Sequence, residues 1–315
     1  RLKLIKFFAK YYKPHMKLFV FDLFCAFFAS LIDLMYPIAV NKIIDDYVPN
    51  NNIRFLVIWI VILFTIFIIR GLLNYWMQYW GHVVGVRMQG DMRSDMFKHL
   101  QKLPLSYFDE NKVGSLMSRL VNDLMDISEL AHHGPEDLFI SLTLIIGSFI
   151  FMSHINLPIT LIVFAFLPFA VAFALSMHTR MMNAFTKTRE ETASVNAVIE
   201  NSLSGIRVSK SFVTEDFEQQ KFDEGNKQFI LARNKAYKVM GIFFSGSGFC
   251  IDILNLLALA CGGYYTINGR ISVGEFASYI MFVTMFVNPI RKLVMFMEQV
   301  QNGMSGFKRF TEILS

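Results

Sequence analysis

The stretch FLVIWIVILFTIFIIRGLLNYWMQYW, residues 55–80, decides the fold of this chain because it is apolar over a length that crosses a bilayer. About 20 apolar residues in a helix span the ~30 Å of hydrocarbon in a membrane. Residues that favour helix continue from this stretch to Lys102. An unbroken helix over 55–102 would be about 70 Å long. The sequence therefore predicts a membrane helix with a long extension into water.

Further apolar runs of similar length occur along the chain, which is 54% hydrophobic and only 17% charged. Soluble domains carry about 25% charged residues. The predicted spans are 18–40, 55–80, 138–155, 157–177, 242–266 and 276–298. We therefore expect an all-α, polytopic membrane protein with six long transmembrane helices and cytosolic extensions.

The distribution of Lys and Arg predicts which connections face the cytosol. Residues 1–17 hold 6 of them, 81–137 hold 6 and 178–240 hold 10, whereas 41–54, 154–158 and 267–275 hold 2, 0 and 1. Because cytoplasmic loops carry the excess of basic residues, we expect a cytoplasmic N-terminus in a cell membrane. The net charge of +5 then reflects the excess of Lys and Arg in the cytoplasmic segments, and a nucleic-acid partner is not expected.

Residues 1–14 are predicted to form an interfacial elbow helix before the first span. Lysines recur at helical spacing, and Leu4, Ile5, Phe8, Tyr11 and Tyr12 occupy the opposite face. Such amphipathic helices lie in the plane of the membrane interface. Pro14 is expected to end the helix. The chain begins without Met, and its first residues lack the short apolar core and the cleavage site of a signal peptide, so we expect a trimmed N-terminus.

Polar and small residues form stripes on four of the predicted spans. Polar residues in a span face the interior of the bundle or a water-filled cavity, but they also join helices by packing and hydrogen bonding. The stripes are Asp22, Ala26, Ala29, Asp33 and Pro37; Arg70, Asn74, Gln78, Gly81 and Gly85; Gly241, Ser245, Gly248 and Asp252; and Ser278, Met281, Met285, Asn288, Lys292, Met295 and Gln299. Packing is favoured for the stripe that begins at Gly241.

The stripe on the sixth span permits two interpretations. Met is flexible and suits adaptable apolar surfaces, but Met stripes are also ordinary core. The substrate-cavity candidates are Ser278, Met281, Met285 and Asn288, together with Arg70 and Asn74.

Charged residues within the spans leave a further alternative open. Asp22, Asp33 and Asp252 could carry ions in a secondary transporter, or an Arg70–Asp pair could be a structural ion pair. Secondary transporters typically contain repeats and broken helices, and neither is evident. A membrane scaffold that only docks a partner is a third possibility.

The sequence lacks the motifs of several kinds of chemistry. It contains no G-x-x-x-x-G-K-[ST] phosphate loop and no G-x-S-x-G elbow. His132 and His133 are adjacent, and no Cys or further His lies nearby at metal-ligand spacing. We expect a solvated or capping pair near Gly134, no metal site and no catalytic residues.

Three ordered blocks resemble the transmembrane domain of type I ABC exporters, the six-helix halves of ATP-driven efflux and lipid-export pumps. They are RSDMFKHLQKLPLSYFDENKVGSLMSRLVNDLMDI (93–127), REETASVNAVIENSLSGIRVSKSFVTEDFEQQKF (189–222) and NGRISVGEFASYIMFVTMFVNPIRKL (268–293). The resemblance covers nearly the whole chain and implies one domain, 1–315, that forms a domain-swapped dimer with a second half-transporter, identical or not.

The resemblance also implies how the domain works. Coupling helices at 105–111 and 211–218 would dock on a nucleotide-binding domain that binds ATP and Mg; none is bound by this chain. The implied coupling residues are Tyr107, Phe108, Asp109, Phe212, Glu215, Asp216 and Phe217. The full-length protein would then be an ATPase that exports hydrophobic or amphipathic compounds across the lipid bilayer. Since most members carry the ATPase domain on the same chain, we expect this sequence to be part of a longer one.

Overall fold

The computed structural model describes residues 8–314, without the side chains of 291, 294, 295, 297, 298 and 301. Its described residues are helical apart from short turns, which confirms the all-α prediction. The helices are α1 (Met16–Lys42), α2 (Ile53–Leu100), α3 (Leu105–Glu110), α4 (Val113–Ser118), α5 (Leu124–Ser204), α6 (Ile206–Phe212), α7 (Glu215–Ile267) and α8 (Val273–Leu314).

Five of the described helical stretches are long and apolar enough to cross a membrane. The longest contains α5, in which Asn156 has non-helical angles of φ −159° and ψ 105°. The side-chain oxygen of Asn156 accepts a hydrogen bond from the backbone N–H of Ile159 at 3.2 Å, the geometry of an N-cap. The third and fourth predicted spans thus lie on either side of Asn156, and all six predicted spans lie in helices.

The helix α2 runs for 48 residues without a break, as its sequence predicts. The side chain of Asn52 caps its first turn. At the α-helical rise its length is about 70 Å, more than twice the hydrocarbon thickness. A helix that crosses the membrane once must therefore project far beyond it.

The chain divides into two compact units. The first comprises Arg1–Val163 and Asn255–Ser315, and the second comprises Phe164–Leu254. The first contains α1 to α4, α8 and the parts of α5 and α7 nearest to them in sequence. The second contains the rest of α5 and α7 with α6 between them. The assignment of 1–315 to a single domain remains a prediction.

A methionine row on α2 forms the core of the first unit outside the membrane spans. Met88, Met92 and Met96 are all buried at the four-residue spacing of one helix face. They share a core with Phe307 and Phe310 of α8. The flexible Met side chain adapts to the aromatic rings it contacts. This row joins the extension of the second span beyond the membrane to that of the sixth.

Residues 8–12 are helical and precede a 3-10 turn at Lys13–His15. Their aromatic face contacts protein: the ring of Phe8 lies 5.1 Å from that of Phe307. The hydroxyl of Tyr11 donates to Asp95 at 3.0 Å. In this part of the expected interfacial helix, α8 supplies apolar partners that are distant in sequence, and the position of the helix in the membrane interface remains a prediction. Residues 1–7 of the predicted elbow helix lie outside the described residues.

Asp45 joins the end of the first span to the start of the sixth. Its carboxylate accepts a hydrogen bond from the backbone N–H of Gly274 at 2.8 Å and contacts the hydroxyl of Ser272. Ser272 and Glu275 also form a capping box, since Glu275 accepts from the N–H of Ser272 at 2.7 Å and Ser272 accepts from the N–H of Glu275 at 3.0 Å. The start of α8 is thereby held against α1.

In the second unit, α5 and α7 pack through small and aromatic residues. A Cβ on Gly246 would lie 2.3 Å from the ring of Phe173, so the two helices approach closely there. The guanidinium of Arg233 on α7 lies 5.6 Å from the ring centre of Phe185 on α5, within the range of a cation–π interaction. These contacts bring the two long helices together along the segment that ends at α6.

Gly274 should tolerate no side chain, because a Cβ there would lie 2.6 Å from the backbone oxygen of Asn41. We expect Gly274→Ala to destabilise the chain by about 1–3 kcal/mol, the typical cost of overpacking. The measurement is the midpoint of thermal unfolding in detergent. Gly263→Ala is the matched control, since no atom lies within 4 Å of the place that its Cβ would occupy. Equal midpoints for the two variants would contradict this close approach.

Candidate functional site

The first predicted coupling segment is a short helix at the end of a long one. The helix α3 covers Leu105–Glu110, and Asn111 follows it as the C-cap. Leu105 is 83% exposed and Phe108 is also exposed, whereas Tyr107 packs against the core of the first unit. Asp109 is exposed. We call Leu105–Glu110 the first tip, and it presents an apolar surface beside a carboxylate.

The second predicted coupling segment, 211–218, is not one helix. The helix α6 ends at Phe212, and Val213 has left-handed angles of φ 53° and ψ 49°. The next helix begins at Glu215. The N–H of Val213 bonds to the carbonyl of Ser209, which closes α6 in the manner of a left-handed C-cap. No local pattern predicts this stop, because Val is disfavoured in that conformation.

Residues 212–217 form the second tip, which carries most of the predicted coupling residues. Phe212, Val213 and Phe217 are 74%, 83% and 60% exposed. Glu215 and Asp216 lie between the two aromatic residues and are also exposed. The second tip therefore combines a larger apolar surface with two carboxylates.

The second tip is tied back to α5 by a hydrogen bond. The hydroxyl of Ser202 donates to the carboxylate of Glu218. Lys221 lies 3.6 Å from the other oxygen of the same carboxylate. The hydrogen bond from Ser202 is the main cause that lowers the pKa of Glu218. Glu218 is therefore ionised at neutral pH and holds the start of α7 beside α5.

The sixth span has two distinct faces. Phe282, Val283, Phe286 and Val287 are buried, and they point into the first unit. The opposite face is at least partly exposed in this protomer, and we call it the sixth-span face: Met281, Thr284, Met285, Asn288 and Lys292. Both methionines thus differ from the fully buried row on α2. Their place on an open face leaves them available to line a pathway.

One of the substrate-cavity candidates, Ser278, does not belong to the sixth-span face. Ser278 is buried, and its hydroxyl donates to the carbonyl of Glu275 at 2.9 Å. Met295, which continues the predicted stripe, lies outside the described side chains. Among the described side chains of the stripe, Met281, Met285, Asn288, Lys292 and Gln299 are at least partly exposed.

Arg70 and Asp33 form an ion pair between the second and first spans, with 2.6 Å between Arg70 Nε and Asp33 Oδ1. These charges were expected to form either an ion relay or a structural ion pair, and Arg70 and Asp33 form an ion pair in the structure. Asn74, one turn further along α2, is partly buried. The pair joins α1 to α2 in the middle of the predicted membrane region.

The predicted stripe on the fifth span begins at Gly241. Among the described residues, its glycines have open space beside them. Gly241 and Gly248 have no atom within 4 Å of a Cβ position, and Asp252 is exposed. Packing against the fourth span instead uses Gly246, which lies on another side of α7. Interhelical packing by the predicted stripe remains a prediction.

The interpretation of His132 as a solvated or capping residue is wrong. It lies within α5, it is only 3% exposed, and the buried carboxyl groups of Asp22 and Glu136 lie beside it. Sequence reasoning missed this arrangement because it considered only ligands near His132 in the chain. Glu136 follows one helical turn later, but Asp22 comes from another helix.

The helical architecture and the membrane-length spans agree with a comparison to known families. Residues 19–290 match the family described as ABC transporter transmembrane region. The chain belongs to this family. It is the transmembrane domain of a type I ABC exporter, and it is a multi-pass membrane protein.

Several curated relatives are similar over almost the whole chain. An uncharacterised ABC transporter ATP-binding protein of Bacillus subtilis, YwjA, is 36% identical over 98% of this chain and 53% of its own length. An ATP-dependent lipid A-core flippase of Syntrophus aciditrophicus is 25% identical over 100% of this chain and 52% of its own. The putative multidrug export protein YgaD of Bacillus subtilis is 22% identical over 98% and 54%. The chain thus spans about half the length of these relatives.

The sixth-span face can be tested by the reactivity of single cysteines. In a background without native cysteines, Met281→Cys, Met285→Cys and Asn288→Cys should react with a water-soluble thiol reagent, because thiolates react where water reaches them. Val283→Cys and Val287→Cys are the controls, since both valines are buried. Labelling is measured by mass spectrometry. Equal labelling of the two sets would show that this face is not a water-exposed surface.

Proposed function

We propose that this domain forms the substrate pathway of an ATP-driven exporter together with a second half-transporter. A nucleotide-binding domain would bind ATP and Mg, and its movement would be transmitted through the two tips. The names of the relatives include ATP-binding proteins and a flippase described as ATP-dependent. The N-terminus would be cytoplasmic in a plasma or inner membrane, as the distribution of Lys and Arg predicts.

The observation that carries the proposal is the exposed apolar surface at the end of each long hairpin. Phe108 lies on the first tip, and Phe212 and Phe217 lie on the second. Large aromatic residues exposed beside charges are typical anchors of protein interfaces. The long helices before the tips are longer than the hydrocarbon is thick, which supports a contact between the tips and a domain in water.

The sixth-span face supports an apolar or amphipathic cargo. Met281 and Met285 can adapt to ligands of different shape, while Thr284 and Asn288 can provide hydrogen bonds. The names of two relatives, a lipid A-core flippase and a putative multidrug export protein, agree with cargo of this class. Arg70 and Asn74 would lie along the same pathway.

An ion-coupled mechanism finds less support from the charged residues. Asp33 is held by Arg70, and a structural ion pair is an alternative to an ion relay. ATP binding would instead bias two conformations of the domain through its differential affinity for them.

The coupling role is tested in the full-length protein, with the ATPase domain present. We expect Phe108→Ala, Phe212→Ala and Phe217→Ala to lower ATP-dependent transport in proteoliposomes, because loss of an interface anchor costs roughly 2 kcal/mol, or about 30-fold in docking. Basal ATP hydrolysis should persist, since the ATP site is on the other domain. The transport rate and the ATPase rate are measured on the same preparation.

Two substitutions outside the tips serve as controls. Phe97 on α2 and Ile230 on α7 are also exposed apolar residues. Phe97→Ala and Ile230→Ala should transport at the normal rate if the tips alone dock the ATPase domain. Unchanged transport in all three tip variants would refute the coupling role.

A further inference from the structure

We propose that Asp22, His132 and Glu136 form a binding site for a divalent transition metal, with zinc as the ion that best suits the donors. These residues, which we call the acid–histidine cluster, belong to the first unit. Asp22 lies on α1, and the other two lie one turn apart on α5. The site is separate from the tips and from the sixth-span face, so the inference goes beyond the proposed function.

The donor atoms of the cluster already lie close together. One ligand atom from each residue is within 4.8 Å of the others. His132 Nδ1 is 3.4 Å from Glu136 Oε2. Zinc binds nitrogen and oxygen ligands at about 2.0–2.2 Å, so the ligand atoms of a tetrahedral site are roughly 3.4 Å apart. Small side-chain rotations would bring a carboxylate oxygen of Asp22 to the same distance from the ligand atoms of His132 and Glu136.

The cluster is buried, and several of its polar atoms lack hydrogen-bond partners. Asp22, His132 and Glu136 are 1%, 3% and 2% exposed. One carboxylate oxygen of each acid and both ring nitrogens of His132 have no hydrogen bond among the described residues. Buried polar atoms are nearly always satisfied, and each exception calls for a reason such as a missing ion. A metal would bind one oxygen of each acid and one of the two ring nitrogens of His132.

Charge balance points to a divalent cation. Buried carboxyl groups stay protonated unless a cation lies beside them, so both acids would be ionised together only with a cation bound. Lys292 of α8 is engaged elsewhere, since its ammonium lies 2.5 Å from Asp137. A divalent ion with neutral His132 and the two carboxylates of Asp22 and Glu136 gives a net charge of zero.

His82 on α2 is placed to supply a fourth ligand. Its ring centre lies 4.5 Å from that of His132. His82 Nδ1 donates to the carbonyl of Gln78 at 2.6 Å, which leaves Nε2 with its lone pair. This is the tautomer of a metal-binding histidine whose other nitrogen is held by a carbonyl. Imidazole with carboxylate ligands suits zinc, whereas carboxylates alone would suit Mg or Mn.

Gly81 makes room for the cluster. A Cβ at this position would lie 2.0 Å from His132 Cε1 and 3.0 Å from Asp22 Oδ1. Only glycine lets the backbone of α2 approach the imidazole this closely. A bound metal would then tie α1, α2 and α5 together.

His133 provides a matched control. It is adjacent to His132 on the same helix, but it is partly exposed, and its Nε2 lies 3.6 Å from Glu129. It also lies near His82 and His132, so it tests an alternative site made of the three histidines. The proposal requires that the loss of His133 leave the metal in place.

The test is zinc binding by the whole chain in lipid nanodiscs, after removal of any affinity tag, by equilibrium dialysis and metal analysis. We expect one zinc ion per chain for the unchanged protein and for His133→Gln. His132→Gln and Asp22→Asn should bind zinc at least about 10-fold more weakly, given the sensitivity of metal sites to their ligand shells. His82→Gln should weaken binding to a smaller degree.

Two results would overturn the proposal: no zinc bound by the unchanged protein, or an equal loss in His133→Gln and His132→Gln. Because His132→Gln could disturb folding, cobalt is bound to the unchanged protein as a second measurement. Intense visible absorption of four-coordinate cobalt, retained in His133→Gln, is the expected result. Its absence in the unchanged protein would also refute the site.

Discussion

A chain that crosses hydrocarbon must satisfy its backbone hydrogen bonds within each segment, and this constraint governs the molecule. Helices meet it without partners, and they can continue beyond the bilayer at no further cost in unsatisfied groups. The helix α2 continues in this way: its 48 residues extend over about 70 Å, whereas the hydrocarbon is only ~30 Å thick. The tips exist because the same helices that cross the membrane continue into water.

Within the first unit, α1 and the turn after it are held by three aspartates at regular intervals. Asp22 and Asp33 are about three helical turns apart and lie on one side of α1, whereas Asp45 follows in the turn after α1 and is rotated away from that side. Asp45 holds the start of α8 at one end, Asp33 pairs with Arg70 of α2, and Asp22 reaches the imidazole of α5 at the other. Each carboxylate thus connects the first span to a different helix.

Methionine residues of the first unit lie in two different environments, one buried and one partly open. Met88, Met92 and Met96 are buried and join the extensions of two spans beyond the membrane. Met281 and Met285 lie on a face that the protomer leaves partly open. Spacing on the helix is similar in both cases, because periodicity defines a face but does not say what covers it. The partner of each face depends on helices that are far away in the chain.

The sequence by itself determined the all-helical class, the six spans and the unbroken α2. These features follow from apolar length and helix propensity, which are local properties. The break at Asn156 also lies where the apolar pattern separates two spans. Resemblance to ABC exporters added the family, which the comparison confirmed.

Only the tertiary structure decided the partner of Arg70, the stop at Val213 and the burial of His132. Asp33 was one of several aspartates available to Arg70, Val213 adopts a conformation that its own side chain disfavours, and His132 meets Asp22 across more than a hundred residues. Contacts of this kind arise from the packing of whole helices, and no local pattern in the sequence encodes them.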